Sequence, residues 1–283
     1  MIERPMGFYR KNLSGERMFK SYVPTPLSDI EISHTAEIDK LIASAEAELK
    51  RLNEHVGCLS AEETNKMIAD EAESSCYLAA GKQPLSFGFI SFMSNDDPVL
   101  AEDIQNLEKA TRYAVDELAD LPLSTRLIKN AHYLMCSGNS YEKKYPGEFR
   151  SSPTWIGKTG CGLKDALFVP PVEEDMIPAL TDWERYIHYD EREHPLVKAA
   201  LIHYQFETIH PFIDGNGRAG RLVNTLFLID NGLLDAPVLP LSKALNRHSD
   251  IYYAGLQYIH ETEEYERWVQ FFLDMTIKAA RNI

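Results

Sequence analysis

Twelve residues constrain this chain more than any others: His210-Pro211-Phe212-Ile213-Asp214-Gly215-Asn216-Gly217-Arg218-Ala219-Gly220-Arg221. Upstream, Leu196, Val197, Ala200, Leu201, Tyr204 and Ile209 fall near i, i+3, i+4 spacing. That spacing predicts an amphipathic helix from Pro195 to about Ile209. Downstream, Arg218 to Asp230 is rich in leucine and closes on Asn231-Gly232, a pair suited to a helix C-terminus. The stretch is therefore expected to be a tight loop between two helices, in a chain that reads along its length as mainly α with one small hairpin.

The loop's chemistry is that of a polyphosphate site. Gly215, Asn216 and Gly217 stand at the N-terminus of the second helix, where unpaired N–H groups and the positive end of the helix dipole favour an anion. The glycines allow backbone to approach a phosphate closely. Arg218 and Arg221 are i and i+3 on one helix face, and both could grip phosphate oxygens. His210 supplies an imidazole able to take a proton, and Asp214 a carboxylate suited to a hard cation. A calcium loop is excluded because no glutamate follows at the required offset.

The run H-x-F-x-D/E-G-N-G-R-x-x-R resembles the signature of the Fic family at every fixed position. Tyr145-Pro146-Gly147-Glu148-Phe149-Arg150 and Phe168-Val169-Pro170-Pro171 are similar to the segments before and after that family's β-hairpin flap. Tyr252-Tyr253-Ala254-Gly255-Leu256 is similar to the tyrosine pair of its nucleotide pocket. The resemblance implies a Fic-type helical core with a small hairpin flap, and transfer of AMP from ATP to a hydroxyl of a target protein. It implies His210 as general base, Asp214 as holder of Mg²⁺, and the Gly215–Gly217 backbone with the Asn216 side chain on phosphate oxygens. Arg218 and Arg221 would neutralise the leaving pyrophosphate. Phe212 would anchor the loop in the core. Tyr252 and Tyr253 would line the adenine pocket, with His260 two turns on as a further candidate.

The flap is expected between Trp155 and Val169, with the backbone of Ile156 and Gly157 pairing with the target by strand addition. Gly157-Lys158-Thr159 is not a phosphate-binding loop, because Ser152 stands where the first glycine is required. Many Fic proteins with an N-terminal extension carry an inhibitory helix, S/T-x-x-x-E-G/N, whose glutamate pairs with the second arginine of the loop. Aligning Ser74 puts Leu78 at the glutamate and Ala79 at the glycine, and no Glu-Gly or Glu-Asn pair occurs in the chain. The usual clamp on Arg221 is therefore expected to be absent, with Glu73 or Glu71 as the competing substitutes.

Other chemistries known in the family stay open: phosphocholine transfer, and phosphoryl transfer with the nucleotide reversed. The latter branch carries a bulkier element where Gly217 stands, so the open glycine favours AMP transfer. A nucleotide-sensing interaction module without catalysis is a further alternative, opposed by the intact His210 and Asp214.

The remaining sequence sets the frame. The 283 residues are read as an N-terminal helical extension (1–97) and a catalytic region (98–283). Helices are expected from Thr35 or Glu37 to Val56, from a Ser60 capping box to about Ser75, and over Pro98–Ala119 and Ser124–Cys136. Further helices are expected from Thr181 and over Ser249–Ala280, whereas Met1–Ser33 reads as irregular and Tyr77–Asp97 as a loop or short hairpin. No apolar run approaches a membrane span, and Met1-Ile2-Glu3-Arg4-Pro5 lacks the apolar region of a signal peptide. Cys58, Cys76, Cys136 and Cys161 have no metal or redox spacing, which suits a reducing cytoplasm. A net charge of −14 without a basic block argues against nucleic-acid binding. A homodimer stays open, since several Fic proteins dimerise.

Overall fold

A computed structural model describes residues 7–14, 17–81, 98–138, 141, 144–157 and 160–282. Lys158, Thr159 and most of the expected 77–97 loop lie outside these residues. The described chain is mostly helical, with a single two-stranded antiparallel sheet.

That sheet, β1 (Phe8–Ser14) with β2 (Arg17–Val23), corrects the irregular reading of the N-terminus. Its apolar residues do not alternate cleanly, because much of the hairpin is exposed. The helices are α1 (Ala36–Val56), α2 (Ala61–Ala79), α3 (Pro98–Leu118), α4 (Thr125–Met135) and α5 (Glu173–Tyr189), then α6 (Pro195–Ile209), α7 (Asn216–Asp230), α8 (Leu241–Arg247), α9 (Ser249–Thr262) and α10 (Tyr265–Arg281).

Local chemistry explains most boundaries. Thr35 caps α1 by accepting from Ile38 N at 3.3 Å, and the stripe Ile38, Ile42, Ala45, Leu49, Leu52 is buried. Ser60 and Glu63 form the capping box of α2. That helix runs past Ser75 to Ala79 because Cys76, Tyr77 and Leu78 are buried. α5 begins eight residues before the expected Thr181, and Pro178 lies within it. The tail is split at Glu263, whose left-handed φ of 55° ends α9.

The largest correction concerns α6. Every residue from Leu196 to Ile209 is buried, so the helix has no solvent face and is not amphipathic. It packs against α5, α7 and α10. The Trp268 and Trp183 indoles donate to the carbonyls of Ala200 (2.7 Å) and Ile202 (3.0 Å). α1 packs along α10, and α2 packs against α3, α7 and α8. Among the described residues, the expected flap hairpin is represented by one antiparallel bridge, Ile156 to Phe168, around a short 3-10 turn at Leu163–Asp165. No helix among the described residues is long and apolar enough to cross a membrane.

Candidate active site

The loop between α6 and α7 is held by side chains far away in sequence. His210 adopts φ 51°, ψ 61°, a left-handed conformation unusual for a residue with a side chain. Arg150, buried, supports that turn. Its Nε donates to the His210 carbonyl at 2.7 Å, and its Nη2 donates to the carbonyls of Ile209 (3.1 Å) and Pro171 (2.6 Å). The Arg150 backbone N–H donates to the Pro211 carbonyl at 2.9 Å. One guanidinium thereby ties the His210 turn to the segment around Pro171.

Asn216 closes the loop from inside. Its Nδ2 donates to the Phe212 carbonyl at 2.9 Å, and its Oδ1 accepts from Phe212 N–H at 2.8 Å. These bonds take one of the two Nδ2 hydrogens and one Oδ1 lone pair, and they make the side chain a brace of the loop as well as a group on its inner face. Phe212 is fully buried and stacks on His132 at 3.6 Å. His132 Nδ1 accepts from Gly147 N–H at 2.9 Å, which assigns its proton to Nε2, 2.9 Å from the Asp214 carbonyl.

α7 opens at Gly215, φ 80°, and its first intrahelical bond is Ala219 N to Gly215 O. The N–H groups of Asn216, Gly217 and Arg218 precede that bond and face an anion-favouring helix end. A Cβ on Gly215 would lie 2.8 Å from Cys136 Sγ and 3.2 Å from His132 Nε2. Gly215→Ala is therefore expected to destabilise the protein by about 1–3 kcal/mol. Chemical denaturation checks this, and an unchanged midpoint would contradict it.

These elements surround a cavity of about 760 Å³. It brings together all the sequence-selected loop residues from His210 to Arg221 that were assigned to ligand binding, with Tyr252, Tyr253, His260 and Ile156. Of the residues aligned to an inhibitory helix, Ala79 is on its wall and Ser74 and Leu78 are not; Gly157 and the substitute candidates Glu71 and Glu73 are also off it. Gly157 instead packs beside Cys161.

His210 Nδ1 lies 3.2 Å from the Glu207 carbonyl, so Nδ1 carries the proton and Nε2 is the accepting nitrogen. Burial, aided by the charge of Arg150, lowers its pKa to about 4. The imidazole is thus neutral at physiological pH. Asp214 Oδ1 accepts from Gly215 N–H at 2.6 Å, and Oδ2 pairs with Lys144 Nζ at 2.5 Å. Burial pushes the Asp214 carboxyl up, but Lys144 and the Gly215 amide bring it below its ordinary value.

The two arginines share a helix face but hold different neighbours. Arg218 donates to Tyr141 Oη at 2.7 Å and lies 3.2 Å from Asp103. Arg221 donates from Nε to Ser75 Oγ at 2.9 Å and from Nη2 to the Ser75 carbonyl at 2.8 Å. Neither candidate substitute glutamate holds Arg221: Glu71 is bound to Ser242, and Glu73 is exposed. Tyr252 is buried with its Oη 2.9 Å from His203, and Tyr253 is half exposed. His260 stacks on Phe168 at 4.3 Å. Among the described residues, three buried polar atoms of cavity residues have no hydrogen-bond partner: Glu207 Oε1, His260 Nδ1 and Arg218 Nη1, the last ion-paired with Asp103.

Arg150, His132, Lys144, Asp103 and Ser75 were not selected from sequence for these roles. Arg150 stood inside a family-like segment, but nothing in its local sequence signals that it carries the turn. The other four have no local signal, because each meets the loop only through the fold.

Comparisons with known proteins agree with this geometry. Residues 122–228 match the Fic/DOC family. A probable protein adenylyltransferase of Aquifex aeolicus is 27% identical over 180 residues, covering 55% of this chain and 54% of that protein. The protein adenylyltransferase Fic of Drosophila yakuba is 33% identical over 134 residues, covering 47% of this chain and 24% of that protein. The match thus spans about half of the first relative and about a quarter of the second. The crystal structure of a Fic family protein from Desulfovibrio desulfuricans superposes with a TM-score of 0.67 at 23% identity, covering 89% of this chain and 75% of that one.

Proposed function

Because the chain carries a Fic/DOC family domain, we propose that it is a protein adenylyltransferase, moving AMP from ATP to a hydroxyl of a target protein. One observation carries the reading: a neutral imidazole with an accepting Nε2 shares a cavity wall with the open N-terminus of α7. In this assignment the adenosine lies toward Tyr252, Tyr253 and His260. The amides of Asn216, Gly217 and Arg218 bind phosphate oxygens, and Arg221 faces the β- and γ-phosphates. His210 Nε2 takes the proton of the target hydroxyl as its oxygen attacks the α-phosphorus, and the bond to pyrophosphate breaks. Catalysis is then mostly positioning and charge stabilisation.

Asp214 fits the role of Mg²⁺ ligand. It is an ionised, half-exposed carboxylate that already seats a cation, the Lys144 ammonium. An ion held by one carboxylate and the substrate's phosphates needs no further protein ligands. When bound, Mg²⁺ would neutralise charge on the phosphates. The target segment is assigned to the flap backbone at Ile156 and Gly157. The four unpaired cysteines suit work in a reducing compartment, the cytoplasm. With Ser75 rather than a glutamate on Arg221, ATP is expected to seat without release of an inhibitory carboxylate.

The test is to incubate the chain with Mg²⁺ and ATP labelled at either the α- or the γ-phosphate. Protein-bound α label supports AMP transfer, whereas γ label alone would assign phosphoryl transfer. The pH profile gives a second check. A base with a pKa of about 4 is fully available above that value and is lost only as pH falls through it. The His210 contribution should therefore be flat from about pH 8 to 6, where an ordinary imidazole would fall about fourfold.

A further inference from the structure

The N-terminal hairpin and the flap form a second concavity beside the cavity. The Tyr22 N–H of β2 donates to the Val169 carbonyl at 2.9 Å, and the Tyr22 ring meets His260 at 4.7 Å. Between hairpin and flap runs a groove of about 560 Å³. Met18 and Lys20 line it on the hairpin side, and Lys164 and Leu167 on the flap side. Leu167 and Phe168 also line the cavity that holds His210, so groove and cavity are continuous.

The hairpin face above this groove carries both cations and exposed apolar side chains. Its register sets Leu13 opposite Met18 and Lys11 opposite Lys20. Directly opposed like charges destabilise a two-stranded pair. Leu13 and Met18 are 73% and 67% exposed, a large apolar pair presented to solvent. Leu167, across the groove, is 71% exposed. Neither Lys20 nor Lys164 forms an ion pair among the described residues. This ammonium-bearing, apolar patch sits on a chain whose net charge is −14. At long range the protein repels an acidic partner, so recognition of one needs a local cationic site of this kind.

We propose that this groove docks an acidic segment of the target protein, with carboxylates toward Lys20 and Lys164 and apolar side chains against Met18 and Leu167. The segment then leads over Leu167 and Phe168, bringing the acceptor hydroxyl to His210. The inference rests on the adenylyltransferase reading for what happens next, but docking itself is measurable without transfer.

The test uses the full chain and fluorescent synthetic peptides that carry one threonine and alternate leucine with glutamate, lysine or serine. Anisotropy gives affinity, and α-labelled ATP reports transfer to the threonine. The wild type is expected to bind the glutamate peptide about tenfold more tightly than the lysine peptide. The exposed pair Lys20→Glu with Lys164→Glu should reverse that order, with ATP affinity unchanged and thermal stability no lower, since the carboxylate introduced on β2 would face Lys11. Equal affinity for the three peptides, or no effect of the double substitution, would overturn the proposal. So would a concentration-dependent dimer in sedimentation that the double substitution dissolves, since the groove would then hold a second copy. Charge-dependent binding without α label anywhere would leave docking supported and count against the adenylyltransferase reading instead.

Discussion

His210→Ala is expected to lower AMP transfer by about 10²- to 10⁴-fold while ATP affinity changes little. In the proposed reaction the imidazole acts on the incoming hydroxyl, and its Nε2 has no assigned bond to the nucleotide. Its Nδ1 is fixed by the Glu207 carbonyl, so alanine removes the base without removing a phosphate ligand. Calorimetric titration with ATP beside a transfer assay separates the two effects. Parallel loss of binding and transfer would make His210 a residue that shapes the loop.

Arg150→Ala should produce the largest loss of stability at the site, about 3–5 kcal/mol. The guanidinium is buried, and its removal leaves the carbonyls of Ile209, His210 and Pro171 without their donor. Burial lowers its pKa only to about 10, so it remains charged at neutral pH. Lysine should restore little of the loss, since a single ammonium cannot reproduce the fork that spans those carbonyls. Urea denaturation measures this. A change below about 1 kcal/mol would mean that the left-handed turn at His210 holds without Arg150.

The loop and its two helices were legible because their chemistry is local. His210 to Arg221 is one continuous run, and capping at Thr35, Ser60 and Ser124 is written within four residues. What supports the loop is not local. Arg150, Lys144, His132 and Ser75 meet their partners across 60, 70, 82 and 146 residues. Sequence periodicity likewise marked one face of α6 but could not reveal that α5, α7 and α10 cover the others. Asn216 was assigned to phosphate because an amide beside two glycines suits that role. In the fold the same amide is turned inward, where it satisfies both backbone groups of Phe212. The N-terminal hairpin has no clear sequence signature, because its exposed face mixes leucine, methionine and lysine, without the polar alternation expected of a strand facing solvent.

Hydrogen–deuterium exchange on the His210→Ala protein, with and without Mg-ATP, tests the nucleotide assignment most directly, since that variant should bind ATP without turning it over. The amides of Asn216, Gly217 and Arg218 should exchange more slowly when ATP is bound, with a further slowing near Tyr252 and Tyr253. ATP that binds by calorimetry yet leaves exchange at residues 215–218 unchanged, protecting another part of the chain, would contradict the assignment of this loop as the phosphate site.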